Sequence, residues 1–111
     1  MITRVWRGWT AEADADDYQR FLLAELFPAM RTISGFLGAE VLRRTEGDEV
    51  AFITLVRFNS IDDVQAFSGE QVDVPVIEPR AAALLARHDE RALHYETSSF
   101  EVEPTSEPPQ R

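Results

Sequence analysis

The sequence predicts an α+β domain in which four antiparallel strands carry helices on one face, the split βαβ arrangement. Three observations lead there. In the stretch Glu49 to Phe58, Val50, Phe52, Thr54, Val56 and Phe58 fall on one face of an extended chain, and Ala51, Ile53, Leu55 and Arg57 on the other, so both faces are mostly apolar. Other stretches carry apolar residues at helical spacing, and the elements run β-α-β-β-α-α-β. A strand apolar on both faces must be covered twice, so one side meets the chain's own helices and the other needs a second layer. The rest of the chain is too small to supply it, which predicts a homodimer closed through the open sheet face.

Ile2 to Trp9 alternates apolar and polar residues and forms the first strand. Trp6 and Trp9 are three apart, which puts them on opposite faces unless Gly8 bulges the chain. The acidic stretch Thr10 to Asp17 suits a helix start, because carboxylates there offset the backbone dipole. Tyr18, Leu22, Leu26, Met30 and Ile33 then make one helical stripe, and Pro28 inside it predicts a kink or break near Glu25 to Leu26 that opens space between helix and sheet. Gly35 to Gly38 turns into a second strand, Ala39 to Arg44, and Glu46-Gly47-Asp48 makes the tight connection to Glu49. Ser60 with Asp63 three on resembles a capping box opening a short helix with Val64 and Phe67 on its inner side. After a polar loop, Pro79 opens a third helix in which Ala81, Leu84, Leu85 and His88 share one face. Arg91 to Phe100 alternates again as the fourth strand. Residues 1–100 are thus expected to make one ferredoxin-like domain, and residues 101–111, with three prolines, a flexible acidic tail.

A chain of 111 residues buries roughly 65% of its extended surface on folding, enough to need no metal or disulfide staple. Its net charge of −9 makes nucleic acid and anionic membranes poor partners. All eleven basic residues are Arg. Without Lys there is no Schiff base or phosphate-loop lysine, and without Cys no thiol nucleophile, thiolate metal site or disulfide. The start, Met-Ile-Thr-Arg-Val-Trp-Arg-Gly, has no signal-peptide run and no later stretch reaches transmembrane length, so the expected location is cytoplasmic. RNA-recognition domains share much of this element order, but Asp48 to Leu55 lacks their basic and glycine positions.

Several stretches together carry a family likeness: Ile2-Thr-Arg-Val-Trp-Arg-Gly-Trp-Thr, Gly35-Phe-Leu-Gly-Ala-Glu-Val-Leu-Arg-Arg with Gly47-Asp48, Arg57-Phe-Asn-Ser, Val64-Gln-Ala-Phe-Ser-Gly-Glu and His94-Tyr-Glu. Over about residues 2 to 96 the chain resembles the antibiotic biosynthesis monooxygenase family of dimeric α+β barrels. The resemblance implies a homodimer with its sheets face to face and a pocket in each subunit between sheet and helices. For the characterised oxygenases it also implies attack of O₂ on an electron-rich phenolic polyketide with no cofactor: no flavin, haem or metal. This chain has Phe58 where family members often have Trp, a single Asn, Asn59, and only Tyr18 and Tyr95 as tyrosines. The haem-degrading branch uses an Asn on the first strand and a helical His. Here Arg4-Val-Trp-Arg offers no Asn and His88 falls close to the helix end, so no haem ligand carries over.

His88 and His94 are the groups whose ordinary pKa lies near neutrality, which makes either a candidate general base toward a phenol or, alternatively, a satisfied structural histidine. Arg57 is a candidate to hold an anionic oxygen, or else an interface ion pair. Trp6, Trp9, Tyr18, Phe58 and Phe67 are the candidate pocket wall, with core packing the competing role. The expected function is cofactor-independent monooxygenation of a planar aromatic or polyketide-like molecule. The alternative is a non-catalytic small-molecule-binding or structural dimer.

Overall fold

The computed structural model describes residues 1–103. Strand β1 (Ile2–Ala11) is followed by α1 (Ala15–Phe21), a π-helical segment Leu22–Leu26 and a short α2 (Phe27–Ala29). Then come β2 (Phe36–Glu46), β3 (Glu49–Phe58), α3 (Ile61–Ser68), α4 (Pro79–Leu84), β4 (Leu85–His88) and β5 (Leu93–Glu96). The expected tail is exposed irregular chain at residues 101–103, and the remainder of it lies outside the described residues.

The sheet is antiparallel, in the order β2-β3-β1, with β4 and β5 sharing the far edge of β1. Glu49–Phe58 is the predicted strand, and β1 pairs with it along its whole length, from Ile2 opposite Phe58 to Ala11 opposite Glu49. Because strand periodicity is two, this register puts Arg4, Trp6, Gly8 and Thr10 on the same face as Val50, Phe52, Thr54, Val56 and Phe58. That face carries the helices and the buried core, in which Tyr18, Phe21, Leu22, Phe27 and Met30 pack on Val50, Phe52, Val56 and Phe58.

The third helix is shorter than expected. It ends at Leu84, where Leu85 turns to an extended ψ of 128°, and residues 85–88 form a strand. The physical reason is the free edge of β1: pairing Leu85 with Thr10 and His88 with Gly8 satisfies backbone groups that an Ala-rich helix would leave open. His88 is accordingly a strand residue. The expected strand Arg91 to Phe100 contracts to Leu93–Glu96, which pairs with the other end of β1.

The kink expected from Pro28 is present as the π-helical segment before it. Pro28 has no N–H to give the carbonyl four residues back, and the Phe27 N–H reaches five residues back to the Leu22 carbonyl. The extra residue in this turn advances the inward stripe by one position, so that Phe27 rather than Leu26 is buried.

The Ser60 cap forms as predicted, its Oγ accepting from the Asp63 N–H at 3.3 Å and donating to Asp63 Oδ2 at 3.0 Å. This holds the Asp63 carboxylate over Gly35, where a Cβ would come within 2.2 Å of it. Gly35 also has φ +89°, so both space and backbone require glycine at this junction.

Candidate functional site

Between the helical layer and the sheet lies a cavity with about 570 Å³ of atom-free space including its mouth, of which about 40 Å³ admits the centre of a water-sized sphere. Its wall is drawn from the sheet, the helices and one loop. The sheet supplies Arg4, Trp6, Thr54 and Val56 from alternate positions of β1 and β3. The π-kinked helix supplies Tyr18, Phe21, Leu22, Leu26, Phe27 and Met30, and α3 supplies Phe67. Pro75 to Glu78, with Ala81 of α4, cover the remaining side. The interior as it stands has room for only about three waters. A ring-sized guest therefore has to displace side chains or the 75–78 cover.

Arg4 is the polar centre of this wall. It is only 4% exposed. Its Nη1 donates to the Val72 carbonyl and to His94 Nε2 (3.0 Å), and its Nη2 donates to the Val74 carbonyl at 3.1 Å. The guanidinium also lies 5.5 Å from the Phe67 ring centroid, a cation–π distance. Burial pulls its pKa down to about 10, opposed by the nearby Asp73 carboxylate, which leaves it charged at neutral pH. Because arginine can only donate, His94 Nε2 is an acceptor and the imidazole is neutral with its proton on Nδ1. Burial, and then the adjacent Arg4 charge, hold the His94 pKa below its ordinary value.

Tyr18 packs edge-to-face on Phe52, with ring centroids 4.9 Å apart. Its hydroxyl lies over Gly8, 3.8 Å from where a Cβ would stand, and burial pushes its pKa up to about 12. The phenol is therefore a donor at neutral pH and not a base. Trp6 also lines the cavity and donates Nε1–H to the Asp89 carbonyl at 2.9 Å.

The sequence-predicted residues divide by face. Trp6, Tyr18 and Phe67 meet at the cavity. Phe58, fully buried, sits beside it in the core between Phe36 and Phe67 and does not line it. Trp9 is on the opposite sheet face, under the Arg87 guanidinium at 4.0 Å and bonded to Glu46 at 3.2 Å. Arg57 is on that same face, paired with Glu40 at 3.1 Å. His88 is exposed, with its ring 5.3 Å from Trp6. His94 reaches the site only through Arg4. Sequence reasoning passed over Arg4, although the signal was there: an arginine two residues before Trp6 on a half-buried strand must share its face.

The lining contains neither histidine nor cysteine, so it does not supply the imidazole or thiolate that usually ligates haem iron. Among the described residues no cluster of three His, Cys, Asp or Glu side chains is placed to hold a metal ion, and no helix is long and apolar enough to cross a membrane.

Fold and cavity together define an α+β sheet with helices on one face and an apolar pocket between the layers. No family model and no curated protein matches the sequence. Solved structures do match, and they give the chain the fold of the antibiotic biosynthesis monooxygenases. A Bacillus cereus protein assigned as an antibiotic biosynthesis monooxygenase aligns with a TM-score of 0.63 at 12% identity, covering 92% of this chain and 97% of that one. The haem degrader MhuD of Mycobacterium tuberculosis, with two haems bound in its active site, gives 0.56 at 20% identity over 93% and 100%. A Streptomyces coelicolor monooxygenase in complex with the ligand nanaomycin D gives 0.55 at 15% identity over 94% and 92%.

Proposed function

We propose that this chain is a homodimeric monooxygenase that oxidises a planar aromatic or polyketide-like molecule in the cavity between its sheet and helices, without a cofactor. The observation that supports this most is the cavity wall, in which Trp6, Phe21, Phe27 and Phe67 surround a space with few polar groups. Proteins of the same fold bind haem and nanaomycin D, both multi-ring molecules. In the proposed reaction an anthrone or a phenol of similar acidity loses a proton and its carbanion or phenolate donates electrons to O₂. One oxygen atom becomes the new carbonyl oxygen at the ring carbon, and the other leaves as water with two hydrogens, both from that carbon in an anthrone, and one from the carbon and one from the hydroxyl in a phenol, so no external reductant is needed. Among the lining residues Glu78, at the mouth, is the carboxylate available to accept the proton, and the apolar wall excludes water from the reactive anion.

The dimer rests on the opposite face of the sheet. Val5, Leu42, Ile53, Leu55, Leu93 and Tyr95 project there, with Leu42 46%, Leu93 53% and Tyr95 52% exposed in the single chain. A contiguous apolar sheet face of this kind calls for a covering layer.

A second reading, a binding protein without catalysis, is favoured by one observation: His88, His94 and Arg57 all lie outside the cavity lining. Oxygen uptake distinguishes the two. Anthrone and naphthol compounds incubated with the protein in air should consume O₂ in proportion to protein concentration, with uptake lost when Phe27 at the wall is replaced by Glu. Binding with no protein-dependent uptake across the panel would establish the second reading.

A further inference from the structure

Arginine carries five N–H donors, and those of Arg4 are only partly used. Both Nη1 hydrogens and one Nη2 hydrogen are bonded, to Val72, His94 and Val74, while Nε–H and the second Nη2–H have no acceptor among the described residues. Nε and Nη2 share one edge of the planar guanidinium, the edge whose donors are spaced for the two oxygens of a carboxylate. Thr10 Oγ1 is the one sealed side-chain polar atom without a partner among the described residues, so the unbonded Arg4 Nε is not sealed, and Arg4 lines the cavity.

The charge is equally unbalanced. Among the described residues no carboxylate lies within ion-pairing distance of Arg4, and Asp73, the acid nearest in effect, pairs with Arg91 at 3.7 Å. Buried charges are normally paired, because an uncompensated one loses its hydration with nothing in exchange. Here the guanidinium is met by neutral carbonyls, a neutral imidazole and a ring face, which leaves its charge for something that comes and goes.

We infer that the cavity's ligand is an aromatic acid whose carboxylate seats on the free Nε/Nη2 edge of Arg4, with its rings against Trp6 and Phe67. This rests on the cavity being the ligand site and adds the substrate class. It makes Arg4 the specificity-determining residue: neutral molecules of the same shape leave the buried cation unpaired, and acids pair it. Along β1, Arg4 and Gly8 share a face four residues apart, roughly 13 Å, so the Tyr18 hydroxyl over Gly8 is placed to donate to an oxygen at the far end of a guest two or three rings long.

The test begins with the wild-type protein. Calorimetric titration of the wild-type protein at neutral pH with 2-naphthoate and with its uncharged isostere 2-naphthamide should give the acid at least about tenfold the affinity of the amide. The net charge of −9 repels anions in general, so such a preference can only come from a local cation. Arg4→Gln should reduce the preference to about twofold or less while amide binding persists. A preference for the acid that survives Arg4→Gln would place the carboxylate on another arginine and overturn the Arg4 seat. Equal affinities, or a preference for the amide, overturn the Arg4 seat and leave the cavity as the ligand site. No binding of either compound overturns both.

Discussion

Thr10 is 0% exposed, sits on the core face of β1 opposite Val50 and Leu85, and its Oγ1 is sealed from solvent with no hydrogen-bond partner among the described residues. A hydroxyl in that condition costs about 1–3 kcal/mol relative to its hydrated state in the unfolded chain. Thr10→Val keeps the branched shape, replaces the hydroxyl by a methyl and suits a strand equally well. The expected result is a gain of about 1–2 kcal/mol in urea unfolding, with a rise in Tm of roughly 4–8 °C per kcal/mol for a domain of this size. Thr10→Ser is the control: it keeps the hydroxyl and deletes a buried methyl, so it should lose about 0.5–1.5 kcal/mol. The two substitutions must therefore move stability in opposite directions. A destabilised Thr10→Val protein would mean that the hydroxyl is bonded in solution, and would refute the packing described for this end of β1.

Other outcomes follow from the same geometry. Gly35→Ala should destabilise the fold by about 2–4 kcal/mol in the same assay, since it adds left-handed strain and drives a Cβ into the Asp63 carboxylate. The folded-state pKa of His94 is depressed, so the unfolded chain binds the proton more readily: stability is full above about 6.5 and falls as pH drops below it toward the folded value. Urea midpoints at mildly acid and mildly alkaline pH should show this loss, and His94→Gln should remove that part of the slope, because glutamine can still accept from Arg4 without titrating. Leu55→Glu, on the open face of the central strand, should leave the fold intact and convert a dimer to a monomer in sedimentation velocity; an unchanged oligomer would place the interface elsewhere.

The fold was legible because its strongest signals are local. Period two in Glu49–Phe58, the Ser60 to Asp63 cap and Pro28 in the helix each have a direct physical consequence, and each is found in place. The third helix was misjudged beyond Leu84 because Ala81, Leu84, Leu85 and His88 do satisfy helical spacing, and only the free edge of β1, a non-local feature, selects a strand for residues 85–88. The site was less legible for the same reason. Phe27 enters the cavity through the phase shift of the π-helical turn, and Pro75 to Glu78 joins the wall next to Val72 and Val74, whose carbonyls Arg4 bonds across 68 and 70 residues of chain. Residue type alone drew attention to His88, His94 and Arg57, but pairing register decides which face a side chain occupies. It puts Arg57 on the open face and Arg4 in the cavity.

Trp6 and Trp9 give two indole N–H signals on opposite faces of one sheet, which makes them a paired reporter. The most direct test of a ligand site under the helices is an ¹⁵N-correlated spectrum of the protein titrated with 2-naphthoate. The Trp6 indole signal should shift saturably while the Trp9 signal stays where it was. Movement of Trp9 with Trp6 fixed would put the ligand on the open face, and the cavity would lose its claim to be the site.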